Sequence, residues 1–126
     1  MQRFRMYFFA LACLFLLSSY DAALAQISVF NCKFKGMESF VITSYEDDNS
    51  ARIGIEQGIG NKGQSYYDKL TGAWIFVEYY SGGSLPDTLT TILSNGNAYH
   101  SRHIVSASDT VMASQLHGIC TQKIIK

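Results

Sequence analysis

The amino-acid sequence predicts an all-β domain, a small antiparallel barrel or sandwich of seven or eight strands. Apolar and polar residues alternate with a period of two along most of the chain, as they do in half-buried strands. Clusters of Gly, Asn and Asp interrupt this alternation at short intervals, which is typical of tight turns. Apolar residues at helical spacing never continue for more than two turns of helix, so helices are not predicted.

The first 25 residues have the pattern of a secretory signal peptide. A start that contains two arginines precedes an apolar run at 6–17, and small residues at 23–25 fit the cleavage rule. The run is 12 residues long, shorter than the ~20 that cross a bilayer as a helix. We expect cleavage between Ala25 and Gln26 and an exported domain, periplasmic or secreted, with no stable membrane span.

The expected mature chain, residues 26–126, has the length of one domain. It carries eight Lys and Arg against nine Asp and Glu, a net charge near −1. This balance gives no electrostatic reason to bind nucleic acid or anionic membranes. The acidic run at 46–48 precedes Asn49 and is typical of a solvated turn rather than of a metal site, and no cofactor is implied.

The cysteines predict one disulfide. Cys13 lies in the apolar run, where lipidation is the alternative, but residues 10–12 lack the leucine usual three positions upstream of a lipidated cysteine. Cys32 and Cys120 remain after cleavage, and two cysteines in an oxidising compartment are most simply bridged. The bridge would close a loop of 89 residues and join the first strand to the last.

The first half of the domain contains four predicted strands. In 30–35 the residues Phe30, Cys32 and Phe34 share one face, 39–45 is β-branched and aromatic, and 51–56 alternates cleanly. The glycine-rich stretch 57–64 is predicted to be a loop before a short strand at 65–69.

The second half contains the other four. Strand 73–80 is apolar on both faces, which predicts that it is covered on both sides. Strands 88–94 and 97–105 flank Asn95-Gly96, the pair typical of a two-residue type I′ turn. The last strand is predicted at 110–120.

Three histidines raise the hypothesis of a metal site. Strand positions three apart point to opposite faces, so His100 and His103 cannot chelate one ion together, and His117 is remote in sequence. The two-residue turn would place Thr91 opposite His100 and Thr88 opposite His103. We therefore expect histidines on a sheet surface, with a partly buried and hydrogen-bonded His100 as the alternative.

Two further patterns suggest a dinucleotide-binding site and a catalytic residue, but the surrounding sequence supports neither. Gly58, Gly60 and Gly63 match the dinucleotide fingerprint, but no amphipathic helix follows and the chain is too short for that fold. Glu78 in an apolar strand has the setting of a general acid or base, or of a strand end that emerges into solvent. The sequence supplies no evident second carboxylate or nucleophile, so no catalytic residue is predicted.

Tyrosines are the main candidates for a binding surface, since each offers flat apolar contact and a hydroxyl. Six of them fall in the expected mature chain. The alternative is that they lie at barrel edges with their hydroxyls in water. With neighbouring basic residues, the candidate binding residues are Tyr66, Tyr67, Tyr79, Tyr80, Tyr99, His100, Arg102 and His103.

Two resemblances add expectations. The motifs at 72–74, 101–103 and 114–120 resemble small exported proteins of alphaproteobacteria with no assigned activity, which implies a periplasmic address. The stretches at 32–42 and 51–53 are similar to the opening of the small periplasmic lysozyme inhibitors of the MliC type, which implies an all-β, disulfide-tied plan. The inhibitory motif of that family would fall on 81–85, which lacks its Ala and its Tyr.

The sequence thus predicts a non-enzymatic, exported β-domain that binds a protein or an envelope component. The alternatives are an inhibitor of a lysozyme-type hydrolase and an enzyme with an unrecognised site.

Overall fold

The computed structural model describes residues 25–79, 86–105 and 111–125. Eight antiparallel strands close into a single barrel in which each strand pairs with its neighbours in sequence and the first pairs with the last. The strands are β1 Ile27–Phe34, β2 Phe40–Tyr45, β3 Ser50–Glu56, β4 Ile59–Asp68, β5 Ala73–Tyr79, β6 Pro86–Ile92, β7 Asn97–Val105 and β8 Val111–Ile125. The all-β prediction is confirmed, and of its two alternatives the barrel is the correct one.

The barrel is closed where β1 meets β8, and the predicted disulfide lies at this seam. Cys32 and Cys120 are register partners, and their side chains form the bridge with the two Cα atoms 4.1 Å apart. Both half-cystines are buried among core side chains. The staple between first and last strands is therefore confirmed.

The core fills the lumen because period-two alternation sends every second side chain inward. Phe30, Ile42 and Phe76 are the largest apolar side chains with almost no exposed surface. Phe30 meets Phe76 edge-on at 5.2 Å between ring centroids. Large apolar groups therefore occupy the middle of the barrel, and open space is left only towards its ends.

The prediction of a loop at 57–64 is wrong. Only the turn at 57–58 is loop, and β4 begins at Ile59. The ladder with β3 shifts its register between Ile53 and Glu56, and the backbones approach so closely there that a Cβ on Gly60 would overlap the carbonyl oxygen of Ile53. Glycine serves this close approach at a bulge, where it had suggested flexibility.

The two-residue turn at Asn95-Gly96 is also wrong. Gly96 has a φ of 89°, whereas Asn95 is not among the residues with positive φ, so a type I′ turn does not form. Leu93 N donates to Asn97 O, and the loop has three residues, 94–96. The register moves by one residue, and Thr90, not Thr91, lies opposite His100.

The expectation that β5 is covered on both sides is wrong as well. Trp74, Phe76 and Glu78 face the lumen, while Ile75 and Val77 on the outer face remain partly exposed. A closed single-layer barrel has only one covered face. The apolar outer residues of β5 are therefore partly in contact with solvent, and Ile75 pairs there with Tyr66 of β4.

Candidate functional site

One end of the barrel opens into a cavity. We call this end the mouth; it is formed by Gln26, by the turns at 46–49, 69–72 and 93–96, and by the end of β8. The cavity has a volume of about 920 Å³ and is open to solvent. Eight-stranded barrels are just wide enough to hold side chains or one small ligand, and their mouths are frequent ligand sites.

The floor of the cavity is apolar and rigid. Phe30 and the half-cystine of Cys120 line it from the seam of the barrel. Trp74 stands over this floor, with its ring centroid 5.4 Å from that of Phe30 and 5.7 Å from that of Phe76. The disulfide and the aromatic cluster together fix the depth at which the cavity ends.

One wall is aromatic. Tyr67 on β4 and Trp74 on β5 are register partners, and both point into the mouth. Their ring centroids are 4.8 Å apart with the planes tilted by 42°. Tyr67 is about half exposed (52%), so its ring is available to a ligand.

A second wall carries hydroxyl and amide groups. Ser28 on β1, Ser44 on β2 and Ser65 on β4 are deep in the cavity and almost fully buried. Ser44 Oγ donates to Ser65 Oγ at 2.9 Å, because the strand between them carries only the small Ala51 at that level. Gln122 on β8 donates to Ser28 Oγ at 3.3 Å.

The remaining bonds of this wall organise it for a ligand. Ser65 Oγ donates to the backbone carbonyl of Asn49 at 3.2 Å, so the protons of Ser44 and Ser65 are directed along the wall. Each hydroxyl oxygen can accept two hydrogen bonds. Ser44 Oγ therefore offers acceptor capacity to a group placed in the cavity.

Charge at the mouth is balanced. Glu46 and Lys69 are the two charged residues among the described ones that line the cavity. The carboxylate of Glu46 accepts a hydrogen bond from Gln26 N at 3.1 Å, and Gln26 O accepts one from Glu46 N. The charges of these two side chains are opposite in sign, and cleavage before Gln26 would add a positive α-amino group beside Glu46 unless Gln26 cyclises.

A second polar cluster lies towards the opposite end. Glu78 is buried, and its carboxylate accepts hydrogen bonds from Asn61 Nδ2 at 2.7 Å and Thr88 Oγ1 at 2.8 Å. Glu78 therefore does not mark a strand end in solvent. Two donors hold the carboxylate in place, and the arrangement stabilises the interior.

His100 belongs to the same cluster. It is buried beside the stacked rings of Phe34 and Phe40 and shares a 2.8 Å hydrogen bond with Thr90. Burial lowers the pKa of His100, the nearby Arg102 acts in the same direction, and the charge of Glu78 opposes both. The expectation of a surface histidine is wrong for His100, and the alternative, a buried and hydrogen-bonded histidine, is correct.

The tyrosines predicted to bind do not form one surface. Tyr67 lines the mouth, whereas Tyr66 and Tyr79 lie on the outer face and both donate to Gln64 Oε1. Tyr99 is also on the outer face and stacks on His117 at 4.9 Å.

The other predicted residues divide in the same way. Arg102 faces inward beside Thr88, its register partner. Tyr80, the predicted signal segment before Ala25, and the stretch 81–85 lie outside the described residues, as does the side chain of His103.

Sequence reasoning missed most of the cavity. Ser28 and Ser44 share strand parity with the buried Phe30 and Ile42, so both had to face inward. A small polar residue at an inward position near a strand end is the signal of a wet barrel mouth. The sequence carries this signal at Ser28 and Ser44.

Comparison with known proteins finds no matching family model, no matching curated protein and no matching solved structure. In the described part of the chain, no helix has the length and apolar character needed to cross a bilayer. Within the same residues, no three potential metal ligands of the His, Cys, Asp or Glu type come together.

Proposed function

We propose that the chain is a non-enzymatic, exported binding protein that takes a small ligand, or the exposed end of an envelope component, into the mouth of its barrel. The cavity of about 920 Å³ carries this proposal, since its size lies within the ~300–1,000 Å³ usual for ligand sites. Its lining combines an apolar floor and two aromatic rings with many polar side chains, more than is usual for such sites.

The chemistry of the lining favours binding over catalysis. A serine becomes a nucleophile when a base stands beside it. Ser44 donates to Ser65, and Ser65 donates to a backbone carbonyl, so both protons are already committed to groups that cannot act as a base. Cys120, the cysteine of the cavity, is held in the disulfide.

The disulfide supports the exported address in the proposal. Structural disulfides persist in oxidising compartments and are rare in the reducing cytosol. The Cys32–Cys120 bridge closes the seam and contributes to the cavity floor, so the shape of the site depends on it.

A fragment screen tests the proposal. Protein produced from the full-length coding sequence is screened by ligand-observed NMR against a library of neutral and charged fragments. We expect several hits that compete with one another for one site. Tyr67→Leu should abolish most of them because its ring lines the mouth.

Tyr66→Leu is the matched control. It is the adjacent residue on β4, it has nearly the same exposure (53% against 52%), and it lies on the opposite face of the sheet. Hits should survive in this variant. A screen without competing hits, or hits that Tyr67→Leu leaves unchanged, would overturn the proposed function.

A further inference from the structure

We infer that the ligand of the mouth is a neutral saccharide, held by at least one pyranose ring; this inference rests on the binding function proposed above. A pyranose has two kinds of surface. The faces of the ring carry C–H groups that pack on aromatic rings, and its edge carries hydroxyls that both donate and accept hydrogen bonds. The mouth offers a complement to each surface.

The aromatic wall supplies the packing surface. Tyr67 and Trp74 lie side by side in the lining of the cavity, with their ring centroids 4.8 Å apart. Trp74 is backed by Phe30 and Phe76, so its ring is fixed before a ligand arrives. A preorganised platform of this kind loses little conformational freedom on binding.

The polar wall lies across the lumen from the aromatic wall. In a ring of eight strands β5 stands opposite β1, where Ser28 lies two residues before Phe30, whose ring Trp74 contacts across the lumen. Gln122 follows on β8 and Ser44 on β2, one strand to either side of Ser28. A pyranose that packs one face on the aromatic wall turns its other face towards the polar wall, and its hydroxyls lie in a cavity lined by three side chains with hydroxyl or amide groups.

The same wall disfavours the other ligand classes. An acyl chain or another apolar ligand would cover the exposed polar side chains of Asn95, Thr121 and Gln122 without replacing their contact with water, which is costly. The side-chain charges of Glu46 and Lys69 are opposed and a cyclised Gln26 would add none, so with that N-terminus the cavity has no field for an anion such as a phosphate. A nucleobase would stack equally well, but its flat edge offers fewer groups that both donate and accept than the hydroxyl-rich edge of a sugar.

The experiment begins with protein from the full-length coding sequence on an array of immobilised mono- to tetrasaccharides. Sugars that bind are then titrated in solution, with decanoate and uridine as probes of the competing classes. Trp74 is the only tryptophan among the 126 residues, so tryptophan emission reports occupancy of the mouth directly. We expect a saturable change in emission with a neutral sugar and none with decanoate or uridine.

Two matched pairs of variants locate the site. Tyr67→Leu removes half of the aromatic wall and should weaken sugar binding about tenfold, as loss of a stacking ring commonly does. Gln122→Leu removes an amide of the polar wall and should also weaken binding, whereas Lys123→Leu, the next residue on the outer face of β8, should not. Tyr66→Leu should likewise leave binding within twofold of the parent, and thermal melts confirm that each variant is folded.

The outcomes are distinct. Binding of decanoate or uridine that depends on Tyr67, with no sugar bound, would overturn the saccharide and leave the proposed function standing. If no probe binds and the fragment screen also gives no hits, both the saccharide inference and the proposed function are overturned. Sugar binding that Tyr67→Leu and Gln122→Leu leave unchanged would place the sugar elsewhere and overturn the inference.

Discussion

Removal of the disulfide should cost the protein a large part of its stability. The perturbation is the double substitution Cys32→Ala with Cys120→Ala, which leaves no free thiol at the seam. The bridge closes a loop of 89 residues, for which the chain-entropy relation gives roughly 4–5 kcal/mol. Both sulfurs are buried in the core cluster, and their removal adds a packing loss of about 1 kcal/mol each.

Measured losses for small secreted domains are about 2–5 kcal/mol, so we expect a value in the upper half of that range. The whole stability of a domain is typically only about 5–15 kcal/mol. With a urea dependence of about 1–3 kcal/mol per M, the unfolding midpoint should fall by roughly 1–5 M. Equilibrium unfolding followed by Trp74 emission and far-UV circular dichroism measures this shift.

The neighbouring cross-strand pair supplies the control. Lys33 and Ile119 are register partners one step along the same two strands, and both point outward. Their double change to Ala should move the midpoint far less. Equal midpoints for the parent and the cysteine variant, or alkylation of two thiols in the native, unreduced parent, would refute the staple.

Three further predictions concern His100, Gly60 and the N-terminus. Because burial lowers the pKa of His100 below its ordinary 6.5, the unfolded chain takes up the proton first. The stability that His100 contributes should therefore be complete above about pH 6.5 and be lost as pH falls below it. The urea midpoint of the parent should fall over this pH range more steeply than that of His100→Gln. Parallel plots of midpoint against pH for the two proteins would contradict this. Gly60 has a φ of 138°, and a Cβ there would overlap a backbone carbonyl, whereas Gly36 has a φ of 87° and open space around it. Gly60→Ala should therefore destabilise the barrel by several times more than Gly36→Ala. Equal losses in thermal melts would contradict the bulge. Mass spectrometry of the native protein should find the N-terminus at Gln26, open or cyclised, and a retained Met1 would contradict cleavage of the signal.

The barrel core could be predicted from the sequence because parity alone decides which side chains face inward. Phe30, Cys32 and Phe34 alternate with polar residues, and the structure places all three in the core. Closure into a barrel could not be decided from local pattern, since it depends on the pairing of β1 with β8 across 88 residues of sequence separation. The cysteines were the one long-range signal, and they indicated the seam correctly.

The register and the site were harder to predict for physical reasons. The turn at 94–96 is one residue longer than the sequence pair suggested, and this shift of one residue changes the β6 partner of His100 from Thr91 to Thr90. Gly60 contributed to the prediction of a loop, although a bulge requires glycine just as much as a loop does. The tyrosines alone do not identify the mouth, because Tyr66 and Tyr67 have the same chemistry but lie on opposite faces of the sheet.

The most direct test of ligand binding at the mouth is a map of amide chemical shifts. A ¹H–¹⁵N correlation spectrum is recorded during titration with the sugar or fragment that binds most tightly. The largest shifts should fall on Ser28, Ser65, Gly72 and Asn95, which line the cavity, while Ile55 at the opposite end remains unmoved. Shifts concentrated at Ile55 and its neighbours, with Ser28 and Ser65 unchanged, would contradict a ligand site in the mouth.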